Sequence, residues 1–500
     1  MISTHMAGRT RIGVIGAGIG GLSAAAVLSR YADVIVFERG AVSGGKVRQQ
    51  NTQTSPIDCG PTVFTMRWVF DDIFEAAGAR LADHIEFSKI DVLARHFWRD
   101  GSALDLYADI KASADAIARF SSAKDATNYL EFCRQSEAVF NTLNTSFLQN
   151  DRPSMLSLAR RANPVSLLGT QPFSTLWNML GKRFEDPRLQ QLFGRYATYC
   201  GASPFEAPAT LMLIAHVEQA GVWTLTGGMH ALAKALEDLA TGQGAEIRHN
   251  TPIIDISLEN GRPGSVVLDT GEQVAVDLIV HAADLAALCV EGEDIETSRA
   301  AIYDKKGVRS QSAMTWTMSA DVSGLDLSVH NVFFSDNYGD EFDAVFNRRT
   351  MPDPPTTYVF APDRTKGGTY GDAPERLFFL INAPPTGDVR QWSQEETQAC
   401  QSKMINHLAI CGADIAVHPE TIIATTPTDF ANRFPSTGGA LYGRAGHGWQ
   451  ATFKRSGVRT KVPGLYLAGG SVHPGPGVPM AALSGRAAAN AAIRDFALTA

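Results

Sequence analysis

The chain reads as an α/β protein, with a doubly wound dinucleotide-binding domain drawn from both ends of the sequence and interleaved with a second lobe of mixed sheet and helix. Three observations predict this. Gly16-Ala-Gly18-Ile-Gly20-Gly21 sits between an apolar run and an Ala-rich stretch, Glu38 follows a second apolar run, and a second Gly-rich stretch, Gly464 to Met480, lies near the C-terminus.

The run Arg11–Ile15 predicts a buried parallel strand, Leu22 to Ser29 a helix, and Asp33–Phe37 a second strand that ends at Glu38. Each glycine has its own task. Gly16 makes the tight turn, Gly18 lets backbone N–H groups approach a pyrophosphate, and Gly21 lets the helix pack closely on the sheet. The helix N-terminus then favours the phosphate charge. Glu38 is placed to accept hydrogen bonds from ribose hydroxyls, and its carboxylate would repel a 2′-phosphate, which disfavours NADP.

A helix is predicted near Arg67 to Ala77, followed by a hairpin of Ala94–Arg99 and Ser102–Tyr107 turned at Asp100-Gly101. From Ile110 to about Glu218 the pattern is helical. A further helix runs from Gly227-Gly228 through Ala240, and strands are predicted at Glu246–Arg248, Ile253–Ile256, Ser265–Leu268 and Leu278–Val280, with turns at Asn260-Gly261 and Thr270-Gly271. The stretch from Ile302 to Thr425 is mixed and includes strands at Ala313–Met318 and Arg376–Ile381. Leu465–Ala468 predicts a short strand, and Met480 to Phe496 an Ala-rich helix.

Five hundred residues exceed a single core, so two or more lobes are expected. The hydrophobic content of 44% and net charge of −8 describe a soluble protein without a nucleic-acid partner. The six cysteines form no CxxC pair or metal-ligand spacing, which predicts no metal site and fits a reducing cytoplasm. No stretch reaches eighteen apolar residues, so no transmembrane helix is predicted. Residues 1–9 lack a signal-peptide core and read as a disordered lead-in.

Several segments also resemble a known family. Gly44-Gly45-Lys46-Val47-Arg48 and Asp58-Cys59-Gly60-Pro61-Thr62 resemble segments of FAD enzymes of the amine-oxidase and phytoene-desaturase superfamily. Gly464-Leu-Tyr-Leu-Ala-Gly469-Gly470-Ser-Val-His473-Pro-Gly-Pro-Gly477-Val478-Pro-Met480 resembles the C-terminal FAD signature of bacterial phytoene-desaturase-type carotenoid desaturases. Such a loop allows close backbone approach to a flat ring, and the helix that follows favours negative charge on a reduced flavin. Phe193–Tyr199, Pro208–His216, Gly221-Val-Trp223 and Gly227–Ala231 resemble the 1-hydroxycarotenoid 3,4-desaturases of purple bacteria.

The resemblance implies a Rossmann-like FAD-binding domain in three parts, at 10–85, 221–290 and 426–500. Interleaved with it are a substrate-domain hairpin at 86–109, a helical substrate or membrane lobe at 110–220 and a substrate-domain sheet at 291–425. Gly16, Gly18, Gly20, Gly21, Glu38, Arg39, Gly45, Lys46, Pro61, Thr62, Ile253, Gly469, Gly470, His473, Gly477, Val478 and Met480 are the implied cofactor-binding residues. The implied reaction oxidises a carbon–carbon single bond of an acyclic carotenoid, with hydride transferred to the flavin and a proton lost. Open alternatives are a phytoene or neurosporene desaturase, another flavin oxidase acting on an amine or porphyrinogen, and a non-catalytic prenyl-lipid binder of the GDP-dissociation-inhibitor type.

His216, Tyr199 and Arg195 are the catalytic candidates. His216, inside an apolar run, reads either as a base or as a core histidine. Tyr196 and Tyr199 share a helix face and read as packing or as tunnel wall. Trp223 reads as an anchor under the flavin or in the core. Between the basic pairs Arg160-Arg161 and Lys182-Arg183 lie Leu167, Phe173, Leu176 and Trp177, which suit either a membrane surface or the core. A carotenoid is practically insoluble in water, so the expectation is a cytoplasmic enzyme held peripherally on the inner membrane, with oxygen or a quinone as electron acceptor.

Overall fold

The computed structural model describes residues 9–52, 56–151, 158, 167, 169–295, 300, 301, 303, 304, 306–365 and 374–500. Apart from Arg9, the expected lead-in lies outside them.

Arg11–Ile15 is the central strand of a five-stranded sheet, in the order Leu465–Leu467, Leu278–His281, Arg11–Ile15, Asp33–Phe37 and Glu246–Arg248. All neighbours run parallel, with Ile12 paired to both Leu278 and Val34. A parallel sheet is covered on both faces, which is why its strands are apolar runs and not alternating ones. Strands from the start, middle and end of the chain therefore share one core.

The first helix spans Ile19–Leu28, three residues earlier than predicted, because Gly18 itself serves as its N-cap in extended conformation. All ten of its residues are buried. It packs against the last helix, Val478–Phe496, through glycine. A Cβ on Gly485 would lie 2.1 Å from the Gly20 carbonyl oxygen, and one on Gly20 would lie 2.8 Å from the Gly469 nitrogen. The backbones therefore meet directly, a contact that any side chain would force apart. Ser484 pins the loop to the last helix, its Oγ accepting from the Gly469 N–H at 2.7 Å.

The second lobe is built on an eight-stranded sheet. Ser312–Ser323, Glu375–Ala383, Thr357–Phe360 and His330–Phe333 follow one another antiparallel, and His330–Phe333 pairs in parallel with Val92–Phe97 of the hairpin completed by Ala103–Tyr107. Phe87–Lys89 does not join this hairpin. It pairs instead with Trp223–Leu225 in a separate two-stranded sheet. Between Ile110 and Ala220 the described residues form chiefly helices joined by turns, including Ala123–Leu143, Leu176–Arg183, Pro187–Gly194 and Leu213–Ala220.

Gly485→Ala should lower stability by about 1–3 kcal/mol, since the methyl must displace backbone. Thermal unfolding measures this; a variant as stable as the parent contradicts the backbone-to-backbone packing.

Candidate functional site

One cavity of about 1330 Å³ runs from the carboxyl ends of the parallel strands to the floor formed by the eight-stranded sheet. Ligands of doubly wound folds occupy this edge, where strand connections diverge to opposite faces. Gly16, Gly18 and Gly20 follow the first strand onto the cavity wall, with Gly16 at φ +98°, a value that favours glycine. A Cβ on Gly18 would meet nothing within 4 Å, so this residue faces open space.

At the end of the second strand the Glu38 carboxylate is buried, accepting from the Ala17 N–H at 2.8 Å and the Gly40 N–H at 2.7 Å. Arg39 and Ile253 complete this part of the wall. Beside it, Gly44 donates its N–H to the Ala17 carbonyl at 2.8 Å, and Gly44 and Gly45 both have positive φ. Lys46 follows on the cavity wall, its Nζ donating to the Leu441 carbonyl at 2.6 Å and standing 3.9 Å from Asp284. The buried Asp284 Oδ2 has no hydrogen-bond partner.

Gly469, Gly470, Gly477, Val478 and Met480 line the opposite side. Neither the first nor the last helix has a side-chain cap, so each presents unpaired first-turn N–H groups at its start. Two positive helix ends thus converge on one cavity. Open space at Gly18, a buried acid at the strand end and two uncapped helix starts suit a dinucleotide with a pyrophosphate.

Within the segment Asp58 to Thr62 the structure separates two roles. Asp58 leaves the site and caps the helix Met229–Gly242, accepting from the Met229 N–H at 2.6 Å. Pro61 and Thr62 line the cavity, and the Thr62 hydroxyl bonds the Tyr358 hydroxyl at 2.6 Å, which in turn lies 2.7 Å from His330 Nδ1.

Three expected site residues are not on the cavity wall. Gly21 faces inward, where a Cβ would lie 2.0 Å from the Gly16 carbonyl oxygen, so it serves packing alone. His473 stands behind the cavity wall: its buried ring lies 2.9 Å from the Phe147 carbonyl through Nε2 and edges onto the ring of Phe147, which does line the cavity. The His216 ring lies against that of Phe140, tilted by 40° with centroids 5.0 Å apart. The helix Leu213–Ala220 turns Leu213, Ile214, Val217 and Glu218 to the cavity, and helical spacing puts His216 on another face. It acts as a packing residue. Trp223 is half-buried against the core, with its ring 6.3 Å from that of Phe64.

Arg195 and Tyr199 do line the cavity, in company with Glu218, which sequence reasoning missed. The Glu218 carboxylate accepts from the Tyr196 hydroxyl at 2.9 Å and from the Tyr199 hydroxyl at 2.5 Å. Arg195 donates to the Tyr199 oxygen at 3.1 Å and stands 4.0 Å from Glu218. Burial opposes the Arg195 charge, but Tyr199 and Glu218 outweigh it and its pKa ends raised. Burial raises the Tyr199 and Tyr196 phenols, so both stay protonated donors. Glu218 was legible as the single carboxylate of an apolar helix; which face it occupied was not.

The rest of the wall on this side is chiefly apolar, with Leu143, Phe147, Leu211, Leu213, Ile214 and Val217 among its residues. Phe173 also lines the cavity while 74% exposed, with its ring 5.4 Å from that of Trp449. Leu176 is buried and Trp177 packs on Phe205 at 4.5 Å. The amphipathic stretch thus divides between surface and core. Arg160 and Arg161 lie outside the described residues. Among the described residues no helix is long and apolar enough to cross a membrane, and no group of three or more His, Cys, Asp or Glu could hold a metal ion.

The fold and the cavity define a dinucleotide-binding flavoprotein architecture. Residues 19–493 match the flavin containing amine oxidoreductase family. The chain belongs to that family, and its cofactor is FAD. It is 47% identical to a hydroxyneurosporene desaturase of Rubrivivax gelatinosus over 486 residues, covering 96% of this chain and 92% of the relative. It is 40% identical to a hydroxyneurosporene desaturase of Cereibacter sphaeroides, covering 97% and 98%. Among solved structures, a putrescine oxidase with putrescine bound superposes with a TM-score of 0.61 at 13% identity, covering 98% of this chain and 99% of the other. That likeness is one of fold.

Gly18→Val should leave the fold intact, because its side chain enters open space, yet abolish flavin retention by filling the pyrophosphate approach. Flavin absorbance of the purified, folded variant measures this, and undiminished flavin content refutes the placement. His473 makes a second prediction. Desolvation by burial lowers its pKa from 6.5 to about 4. The unfolded chain protonates this ring in that window and the folded chain does not, so its stabilisation is present above 6.5 and lost as pH falls toward 4. His473→Gln should flatten the loss of stability measured by urea unfolding between pH 7 and 4.5; an unchanged slope contradicts it.

Proposed function

We propose that this protein is an FAD-dependent carotenoid desaturase that introduces a carbon–carbon double bond into an acyclic carotenoid, with 3,4-desaturation of 1-hydroxy or 1-methoxy carotenoids as the specific reaction. One observation carries the reading: the dinucleotide cradle opens, within one cavity of about 1330 Å³, onto a largely apolar wall. The near full-length identity to hydroxyneurosporene desaturases supports the choice of substrate.

When bound, FAD supplies the hydride acceptor. The chain's own residues supply the remainder. The Gly16–Gly20 turn and Glu38 would hold the dinucleotide, so that the reacting ring would be oriented by parts remote from it. The apolar wall from Leu143 to Val217 holds the polyene and excludes water, which would otherwise capture positive charge next to the chain of double bonds. Besides Glu38, Asp284 and Asp294, the cavity wall carries the carboxylate of Glu218, on the helix that also supplies the apolar wall residues Leu213, Ile214 and Val217. Glu218, bridged by Tyr199 and held near Arg195, is the group placed to attract or accept the departing proton.

The substrate dissolves in lipid, and the exposed Phe173 stands where the cavity wall meets the surface. Peripheral binding to the cytoplasmic face of the inner membrane through this face, with re-oxidation by oxygen or a quinone, completes the reading.

Flavin-loaded protein offered hydroxyneurosporene, phytoene or an aromatic amine in liposomes should give a red-shifted polyene product with hydroxyneurosporene. Turnover of phytoene alone, or of the amine alone, overturns the assignment. In liposome flotation, Phe173→Ser should reduce the bound fraction while keeping its flavin; equal flotation of both proteins contradicts the membrane face.

A further inference from the structure

The floor of the cavity carries a polar feature that desaturation of a hydrocarbon does not use. On the strand Glu375–Ala383 the residues facing the cavity are Phe378, Leu380 and Asn382, the period-two face of one strand. Two are apolar and the third is an amide. Asn382 is only 8% exposed, and beside it Thr356 also lines the cavity.

Behind this pair lies a hydrogen-bonded network. Asn382 Nδ2 donates to Glu341 Oε1 at 2.8 Å, and Asn382 Oδ1 accepts from Gln311 Nε2 at 3.0 Å. Glu341 Oε2 accepts from the Thr356 N–H and the Ser335 hydroxyl, each at 3.3 Å. Glu341 is buried at 2% exposure with no ion-pair partner among the described residues, and burial raises its pKa. A buried carboxyl group with hydrogen bonds but no cation beside it is costly, so a packing role alone explains it poorly.

What the network does is fix the amide. A carboxylate oxygen accepts, so Glu341 sets which end of Asn382 faces it, and Gln311 holds the other end. Of the four hydrogen-bonding positions on a primary amide, two are spent on these partners. One N–H and one lone pair remain for the cavity. A hydroxyl is one donor and one acceptor, and matches that remainder.

The position also suits the proposed reaction. Tyr358, which bonds Thr62, pairs in register with Leu380. Asn382 lies two residues further along the same strand, about 7 Å away at the rise of a β-strand. In a 1-hydroxy carotenoid the oxygen is separated from the 3,4 bond by a short stretch of chain, so an anchor for it must stand close to the reacting end and not at the far end of the cavity.

We propose that Asn382, aligned by Glu341 and flanked by Thr356, is the subsite that binds the terminal hydroxyl of the substrate and so selects hydroxylated over hydrocarbon carotenoid ends. Asn382 is the contacting residue; Glu341 is a positioning residue. The inference rests on the desaturase reading above.

The test is equilibrium binding of hydroxyneurosporene and of neurosporene, which lacks the hydroxyl, from liposomes to flavin-loaded protein, read by the shift of carotenoid absorption, with turnover recorded separately. The parent protein should bind the hydroxylated compound roughly 10- to 100-fold more tightly, the worth of one or two buried hydrogen bonds. Asn382→Leu should bring hydroxyneurosporene down to the neurosporene value and leave neurosporene unchanged. Glu341→Leu should do likewise, and Glu341→Gln should recover part of the discrimination, which a merely structural role does not predict. Equal affinity of the parent for both carotenoids overturns the subsite whether or not any variant folds, and so does full discrimination in Asn382→Leu. Discrimination in binding without turnover of either compound retains the subsite and refutes the desaturase reading; turnover of both with equal affinity does the reverse.

Discussion

The contact on which the rest of the molecule depends is between the first helix and the last, where the backbones at Gly20, Gly469 and Gly485 meet with no side chain between them. Segments at opposite ends of the sequence are thereby fixed side by side, and two uncapped helix starts face the same cavity. One positive helix end is a common anion site. Two converging ones, with Glu38 at the strand end between them and the second lobe, make a cradle whose shape is set by glycine. Glycine is required here for the absence of a side chain, and at Gly16, Gly469 and Gly477 also for backbone angles that other residues rarely adopt.

From that cradle the chemistry is divided by the two sheets. The parallel sheet ends its strands in backbone groups and an acid, which hold a dinucleotide. The eight-stranded sheet contributes a floor whose alternate residues, Phe378, Leu380 and Asn382, grade from apolar to polar. The helical segment adds Arg195, Tyr199 and Glu218 on a third side. A charged group buried in such a place is expensive unless it is paired, and here the Glu218 carboxylate accepts from both phenols while Arg195 donates to Tyr199 and stands 4.0 Å from Glu218.

The dinucleotide cradle was readable from the sequence because its determinants are local. Glycine spacing, the apolar runs on either side and the acid after the second strand each fix backbone conformation within a few residues, and the first strand and Glu38 stand where that pattern puts them. The C-terminal loop was readable for the same reason, apart from His473, whose ring turns inward because the loop must be tied to Phe147. The substrate side was less legible. His216 and Glu218 are two residues apart on one helix, and sequence alone does not say which face meets the cavity, since both faces of that helix carry apolar residues. Asn382 gave no signal, because a strand residue acquires its role only when Glu341 and Gln311 arrive from distant parts of the chain.

The most direct measurement of the central claim, that one cavity joins FAD to a carotenoid, is anaerobic mixing of oxidised, flavin-loaded protein with an excess of hydroxyneurosporene in liposomes while flavin and polyene absorbance are followed together. The flavin should bleach once, in step with an equal amount of red-shifted carotenoid. A red shift without flavin bleaching, or bleaching with the carotenoid unchanged, contradicts it.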